Sequence, residues 1–263
     1  MIWIGIEIRM LRFLLVLMFS DLYQEHSNTV KYFLFQSMGS IILLLRIRLL
    51  RELKMLRILV TMMKLGIAPF HLWFISLMRK ISIMRLVWVR VVQKIIPLRF
   101  IIIIKGASGL VTLLVIRFLL SVLHIIVQTK LTIMVGSSSV YSLSWVVISL
   151  ISSESLMWHF FVLYCLFQII TLVTISLVSL SPFKPSSQGS YAESRILLFF
   201  SLNIAGFPPS LLFFTKLGVI LETLTRAYFA IRLILILGTR VVIYNYINMT
   251  IIMFSISPRR LGV

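Results

Sequence analysis

Long apolar runs alternate with short polar links along this chain of 263 residues. The runs approach the roughly 20 residues that an α-helix needs to cross the hydrocarbon core of a bilayer. In hydrocarbon the backbone has to satisfy its own hydrogen bonds, which a helix does within one segment. The pattern therefore predicts an all-α polytopic membrane protein of about nine transmembrane helices, covering residues 1–20, 30–50, 55–77, 83–104, 107–128, 131–152, 156–180, 195–221 and 227–255.

The links between these predicted spans are short, and they carry charged residues, glycine or serine. Only the stretch at 181–190 is long enough to form a real loop. Short links favour antiparallel neighbours, so we expect a single transmembrane domain over residues 1–263 with no soluble module. The first residues are apolar without a charged leader, and we therefore expect no signal peptide.

The composition supports a membrane location and changes how the charge is interpreted. Hydrophobic residues make up 60% of the chain and charged residues 13%, with a mean hydropathy of +1.08, which excludes a water-soluble globular enzyme. A formal net charge of +19 usually indicates nucleic acid. Here most basic residues lie inside or beside apolar runs, so we expect phospholipid and no nucleic acid. The single cysteine, Cys165, excludes a disulfide within the chain.

Lys64 lies near the middle of the predicted span 55–77, in the stretch KLGIAPFH. An ionisable group at that depth costs roughly 2.5 to 3.5 kcal/mol on insertion scales and usually has a function. Pro69 lacks an N–H, so we expect the carbonyl of Leu65 to lose its helical donor and a polar gap to open beside the lysine. His71 follows about two turns later on the same face, about 10 Å along the axis, where it suits a proton relay.

The combination of a buried lysine and a nearby proline occurs twice more. Pro97 follows Lys94 and frees the carbonyl of Gln93, while Lys216 follows the paired prolines at 208–209 and falls nearer the end of its predicted span. Helices interrupted at membrane depth are tolerated where they are buried in protein or line a wet cavity, and in transporters they mark ion pathways. We therefore predict two or more discontinuous helices.

Acidic residues are scarce, and of the seven only Glu7 falls deep in a predicted span. Glu7 is therefore the predicted partner of one of the lysines. Burial disfavours the charged forms of both groups while their mutual attraction favours them, so a movable pair can load and release a proton. The alternatives are that Lys64 and Lys94 make static polar contacts between helices and that His71 is a structural hydrogen bonder.

Other polar residues indicate no enzyme site. The chain has no glycine-rich phosphate motif, no His/Cys/Asp metal cluster and no Ser-His-Asp arrangement, so we expect no electron chemistry within it. His124 and His159 lie beside neither a proline nor a buried lysine, and we interpret them as packing or interfacial residues. The serines at 137–144 could hydrate a channel, although close helix packing is the favoured interpretation.

The sequence around Lys64 resembles a family motif. MKLGIAPFHLWF at 63–74 is similar to the most distinctive motif of the NADH dehydrogenase subunit 2 family, whose members are membrane subunits of respiratory complex I. Further similar motifs follow in the family's order: WIGIEI at 3–8, KYFL at 31–34, QKIIP at 93–97, Ser138-Ser139 with Trp145, and GFPP at 206–209 with Lys216. Collinear matches over residues 3–216 are highly specific, whereas beyond about residue 222 the likeness is general.

The resemblance implies an antiporter-like fold with two broken helices. It also implies that Glu7 pairs with Lys64, that Lys94 is the central relay lysine, that Lys216 passes protons to the exit side or to a neighbouring subunit, and that His71 helps to hydrate the path. The implied activity is proton translocation driven by NADH:ubiquinone oxidoreduction elsewhere in the complex.

The implied setting is a hetero-oligomer in the mitochondrial inner membrane. Partners would be other membrane-arm subunits, including antiporter-like neighbours, and phospholipids. NADH, FMN, iron–sulfur clusters and ubiquinone would lie in other subunits, with no cofactor in this chain. Two rival functions stay open: a cation/proton antiporter subunit, which shares the broken helices, and a non-pumping structural subunit.

Two features depart from the family pattern. The chain begins inside the helix that bears Glu7, so a preceding helix of the family is expected to be absent. Eight arginines lie in apolar surroundings where the family has small polar or apolar residues: Arg12, Arg46, Arg85, Arg90, Arg99, Arg117, Arg232 and Arg240. Since buried guanidinium groups without acids are destabilising, we hypothesise that some of these codons are read as serine in the organelle. Peptide masses across Arg85 and Arg90 that match arginine would contradict this hypothesis.

Overall fold

A computed structural model describes residues 2–18, 23–49, 54–78, 83–103, 110–128, 131–180, 199–200, 202–208, 210–225 and 229–256. All regular structure in these ranges is helical, which confirms the predicted all-α class. The α-helices are α1 (Ile2–Met18), α2 (Tyr23–Leu49), α3 (Lys54–Leu65), α4 (Leu72–Met78), α5 (Ile83–Arg90), α6 (Ile95–Ile103), α7 (Leu110–Ile126), α8 (Leu131–Ser152), α9 (Glu154–Leu180), α10 (Leu211–Thr225) and α11 (Phe229–Ile256).

The predicted spans agree with the helices in position. Each overlaps one helix or two consecutive helices, with α3 and α4 inside 55–77 and α5 and α6 inside 83–104. The predicted loop at 181–190 lies outside the described residues. Only two described stretches are long and apolar enough to cross a membrane by composition alone, Glu154–Thr174 and Phe229–Asn248. The number of nine membrane spans stays a prediction.

Helix α8 forms the centre of the bundle. It contacts α4, α7, α9 and α10, and every residue from 136 to 152 is buried. The hydroxyls of Ser137, Ser139 and Ser149 donate to carbonyls three residues earlier in α8, at 2.9, 2.6 and 2.7 Å. Because these hydrogen bonds stay within the helix, the serines present small surfaces to the neighbouring helices. This arrangement supports the packing interpretation of the serine-rich stretch.

Aromatic side chains join neighbouring helices in two separate parts of the bundle. On one side Phe118 of α7 lies edge-on to Trp145 of α8, with ring centroids 5.6 Å apart. On the other side Tyr32 of α2 lies 5.0 Å from Phe13 of α1 and 5.7 Å from Trp73 of α4. Such pairs contribute about 0.5 to 1.5 kcal/mol beyond the area they bury. In lipid, where apolar burial drives little association, this close packing is what joins the helices.

Helix α3 ends at a glycine before the proline is reached. Gly66 has φ +65°, its N–H donates to the carbonyl of Met63 at 3.1 Å, and the N–H of Ile67 donates to that of Met62 at 3.3 Å. This pair of bonds is the Schellman motif, which closes a helix with a left-handed residue, usually glycine. The sequence attributed the interruption to Pro69, whereas the helix has already ended at Leu65. The Ala68–Pro69 peptide bond is cis.

The same motif interrupts the helix before α10. Gly206 has φ +85°, its N–H donates to the carbonyl of Asn203, and the N–H of Phe207 donates to that of Leu202, both at 3.1 Å. Ser210 then begins α10, because its hydroxyl accepts the N–H of Phe213 at 3.2 Å, as an N-cap does. Here again a glycine, followed by proline, ends the helix.

The third interruption is milder. Helix α5 ends at Arg90, a 3-10 turn covers Val92–Lys94, and α6 begins at Ile95. The N–H of Lys94 bonds to the carbonyl of Val91 at 3.3 Å, one residue closer than in an α-helix. Pro97 falls in the first turn of α6, where its missing N–H costs little. The change of pitch therefore coincides with Lys94 itself.

Candidate functional site

Three buried lysines mark the candidate site. Lys64, Lys94 and Lys216 are only 5%, 2% and 3% exposed, and each lies where a helix is interrupted. The carbonyls left without donors at the carboxyl end of a helix carry partial negative charge, which favours a nearby cation. The interruptions therefore provide partial negative charge near the lysines, where acidic side chains are scarce.

Lys64 is the lysine with an acidic partner. Its Nζ lies 3.5 Å from Oε1 of Glu7 on α1, the pairing that the resemblance implied. Helix α2 completes the site, because the side-chain amide of Gln36 donates to the carbonyl of Lys64 at 3.3 Å. A Cβ on Gly39 would approach the Cε of Lys64 to 3.3 Å, so the glycine gives the lysine room. The proton-transfer roles of Glu7 and Lys64 stay predictions.

Lys94 lies among aromatic groups. Its Nζ donates to the hydroxyl of Tyr164 on α9 at 3.2 Å, and it lies 4.8 Å from the ring centroid of Phe74 on α4 and 5.5 Å from that of Tyr164. A desolvated ammonium over an aromatic face gains about 2 kcal/mol or more. A Cβ on Gly66 would come within 3.1 Å of Phe74, so one ring contacts both the first interruption and Lys94.

A second polar contact to α9 lies about one turn before Lys94, at the end of α5. The guanidinium of Arg90 donates to Oε1 of Gln168 on α9. On the other side of the turn, the side-chain amide of Gln93 donates to the hydroxyl of Tyr32 on α2 at 2.8 Å. Tyr164 and Gln168 could not be predicted as parts of the site, because a lone tyrosine or glutamine in an apolar run has the same pattern as a packing residue.

Lys216 reaches back to the interruption before its own helix. Its Nζ donates to the carbonyls of Ala205 at 2.7 Å and Ile204 at 3.4 Å, and it lies 4.9 Å from the ring centroid of Tyr141 on α8. A Cβ on Gly206 would approach this Nζ to 2.6 Å. The predicted span placed Lys216 near its end, but α10 continues to Thr225, and the ammonium lies at the interruption.

Helix α8 separates the second lysine from the third. Ser139 of α8 interacts with the hydroxyl of Tyr164, the partner of Lys94. Tyr141, two residues further along α8, faces Lys216. Residues two apart on a helix point in nearly opposite directions, so the two polar groups lie on either side of α8. The order across the bundle is Glu7 and Lys64, then Lys94, then Lys216.

His71 has a partner that the sequence did not reveal. The histidine is 8% exposed, and its ring lies edge-on to that of His124 on α7, with centroids 4.4 Å apart and an interplanar angle of 86°. The Nε2 of His124 lies 3.4 Å from the side-chain amide nitrogen of Gln128. The sequence pattern could not show the contact of His124 with His71, because it joins segments far apart in the chain. The interpretation of His124 as a packing or interfacial residue stays a prediction.

His159 lies on the surface of its helix, as expected of an interfacial residue. The Nδ1 of His159 donates to the carbonyl of Ser155 at 2.7 Å, on an exposed part of α9. Within the described ranges, no group of three His, Cys, Asp or Glu side chains could hold a metal ion.

The structure corrects the expectation that eight arginines are buried. Only Arg90 and Arg117 are buried among the seven whose side chains are described. Arg12, Arg99 and Arg240 are exposed, Arg85 and Arg232 are half-buried, and the side chain of Arg46 lies outside the described residues. Arg117 is 2% exposed, and its guanidinium nitrogens hydrogen-bond to no described residue.

Curated proteins similar to this chain are named NADH-ubiquinone oxidoreductase chain 2. The protein of that name from Artemia franciscana is 30% identical over 218 residues, which cover 82% of this chain and 70% of the relative. The one from Lumbricus terrestris is 28% identical over 272 residues, which cover 98% of this chain and 81% of the relative. No family model matches the chain.

Two solved membrane complexes contain chains of similar fold. One lies in respiratory complex I from Thermus thermophilus with bound aureothin, with a TM-score of 0.79 and 15% identity over 95% of this chain. This chain spans 64% of that chain, which is less than two thirds. The other lies in the Mrp complex from Dietzia sp. DQ12-45-1b, with a TM-score of 0.68 and 14% identity, covering 86% of this chain and 50% of that one. These likenesses show an antiporter-like membrane fold.

Proposed function

This chain belongs to the NADH-ubiquinone oxidoreductase chain 2 family, and from that membership we propose that it translocates protons in the membrane arm of a respiratory complex I. NADH:ubiquinone oxidoreduction takes place in other subunits, which hold FMN, the iron–sulfur clusters and the NADH and ubiquinone sites, and this chain carries no cofactor. Its partners are antiporter-like and other membrane-arm subunits together with phospholipids of the mitochondrial inner membrane, and nucleic acid is not among them.

The observation that carries this proposal is the series of three buried lysines, each at a helix interruption. A buried ammonium is costly in a dry apolar core. Here each one contacts groups that bind the charged form without neutralising it permanently: Glu7 for Lys64, the hydroxyl of Tyr164 for Lys94, and helix-end carbonyls for Lys216. The neutral partners of Lys94 and Lys216 leave both protonation states accessible, as a relay needs, whereas the Glu7–Lys64 ion pair does so only when its two side chains separate.

Each residue has a defined part in the proposed relay. The Glu7–Lys64 pair holds a proton at the first interruption and releases it when the two side chains separate. His71 connects this interruption to a hydrated path, because an imidazole can take up a proton on one ring nitrogen and release one from the other. Lys94 is the central carrier, and Lys216 passes the proton to the exit side or to a neighbouring subunit. About nine membrane spans, with α3–α4 and the segment around Gly206 as discontinuous helices, would enclose this path.

Replacing Lys94 by Met tests the relay. In proteoliposomes with the assembled complex, Lys94→Met is expected to lower the number of protons moved per NADH oxidised, because methionine fills the volume and carries no proton. The matched control is Lys31→Met, since Lys31 is exposed on α2. Normal assembly with an unchanged proton ratio would support the structural-subunit alternative instead.

A cation/proton antiporter is the second candidate, favoured by the likeness to a chain of the Mrp complex. Both functions use lysines at interrupted helices. Mild-detergent purification with an affinity tag on this chain separates them. Copurification of flavin and iron–sulfur subunits with NADH oxidation is the expected result, whereas an assembly without redox subunits would favour the antiporter.

A further inference from the structure

We propose that His124 and Gln128 extend the proton path from His71 to the aqueous face at the end of α7, with His124 as a relay residue and Gln128 as the residue that positions its ring. The inference rests on the proposed function and adds the route by which the relay reaches the aqueous phase. It stands on three observations: the His71–His124 contact, the His124–Gln128 contact and the place of both histidines in the bundle.

The first observation is the geometry of the two rings. Their centroids are 4.4 Å apart and their planes are nearly perpendicular, so the edge of one imidazole meets the face of the other. At this centroid distance, transfer between the rings is direct where rotation about the Cβ–Cγ bonds brings two nitrogens within hydrogen-bond distance, and otherwise passes through one water. The proton leaves a nitrogen of one imidazolium and is taken up by a neutral nitrogen of the other, without any transfer of electrons.

The second observation is the polar group beyond His124. The amide nitrogen of Gln128 lies 3.4 Å from Nε2 of His124, where it donates to a neutral ring nitrogen, and a half-turn of the amide presents its oxygen as acceptor to a protonated one. The other ring nitrogen, Nδ1, is buried and has no hydrogen-bond partner among the described residues. Nε2 thus contacts Gln128, and Nδ1 remains available to exchange a proton within the bundle. An imidazole that takes a proton on one nitrogen and releases one from the other is a two-sided relay.

The third observation is position along the bundle. The predicted spans 55–77, 83–104 and 107–128 follow one another, so alternation of their directions would put the ends of the first and third on the same side of the membrane. His71 directly precedes the short α4, whereas His124 lies in the last turn of α7 and Gln128 follows that helix. Burial decreases in the same order, from buried His71 to half-buried His124 and Gln128. The pair therefore leads from the interruption at Lys64 toward one aqueous face.

The main test compares proton pumping by assembled complexes in proteoliposomes. His124→Phe keeps a ring at this position and removes both nitrogens, and it is expected to lower the protons moved per NADH to the level of Lys94→Met. Gln128→Leu is expected to give a smaller loss, because the relay nitrogens remain. The control is His159→Phe, whose native ring bonds only to a carbonyl of its own helix, and it is expected to pump normally.

The outcomes separate this inference from the proposed function. A lowered ratio in Lys94→Met together with a normal ratio in His124→Phe would overturn the role of His124 and leave the relay intact. Normal ratios in both variants, in complexes that assemble normally, would overturn the relay itself.

A second measurement covers the case in which His124→Phe does not assemble. His124→Cys in the assembled complex is expected to react with a small water-soluble thiol reagent added to the aqueous phase, since the path leads to water. The native Cys165 is buried and serves as the internal reference in peptide mapping. An unreactive cysteine at 124, at reagent levels that label an exposed site fully, would contradict the path.

Discussion

Buried cations in this protein are stabilised mainly by neutral groups. Tyr164 and Phe74 serve Lys94, and the carbonyl of Ala205 serves Lys216, while only Lys64 has a carboxylate within ion-pair distance among the described residues. A neutral partner lowers the free-energy cost of burying the ammonium. Because it carries no opposite charge, the ammonium can lose its proton at a smaller free-energy cost than in an ion pair. Hydropathy predicted that these lysines are buried, and they are. The side chains that contact them come from other helices and could not be predicted in the same way.

Arg117 contrasts with these lysines, and its replacement is expected to stabilise the protein. The guanidinium is buried and hydrogen-bonds to no described residue, and removing an uncompensated buried charge should raise the free energy of unfolding by about 1 to 4 kcal/mol. Arg117→Ser should therefore raise the thermal unfolding midpoint of the purified chain in detergent. Arg12→Ser, at an exposed position, is the control and should leave it unchanged.

A lower midpoint in Arg117→Ser would mean that the guanidinium has a partner outside the described residues. The peptide mass across Arg117 in the natural protein is the complementary measurement. A mass that matches serine would support the decoding hypothesis at the position where arginine costs most.

At the scale of elements, the interruptions follow one local rule. Helix α3 and the segment before α10 both end in a Schellman motif at a glycine with positive φ, and a proline follows within a few residues. Prolines in the sequence predicted that the helices break, and they placed each break within a turn of its observed position. They could not identify the last helical residue, because glycine ends a helix through its backbone conformation and many glycines lie inside helices without ending them.

Gly206 is the position at which this rule has the clearest consequence. Gly206→Ala should lower the free energy of unfolding by about 1 to 2 kcal/mol for the left-handed backbone alone. The added Cβ would lie 2.6 Å from the Nζ of Lys216, so the ammonium would have to move. We expect a lower unfolding midpoint together with fewer protons moved per NADH oxidised. Gly5→Ala is the control, because its Cβ would meet nothing closer than 3.7 Å. A Gly206→Ala complex with normal stability and pumping would contradict the structural role of this glycine.

At the scale of the whole molecule, the sequence predicted the class of protein and the candidate residues of the site, but not how they are arranged. Lys64, Lys94, Lys216 and Glu7 were predictable as candidates because charge in an apolar run is conspicuous. The positions of Lys94 and Lys216 on either side of α8 could not be predicted, and neither could the contact of His71 with His124, because both depend on which helices are neighbours. Alternating span directions limit the choices, but several packings of these helices satisfy the same apolar pattern.

The packing can be tested with a photoreactive apolar probe dissolved in the bilayer. Helix α8 is buried throughout 136–152, whereas α9 presents an exposed apolar stripe that includes Val162 and Leu166. In membranes containing the separately expressed chain, peptides of α9 should be labelled several-fold more than those of α8, because only the former contact lipid. In the assembled complex, a neighbouring subunit that covers α9 would reduce its labelling and leave α8 protected. Equal labelling of the two helices in the separate chain would contradict the central position of α8, and with it the order of lysines on which the relay depends.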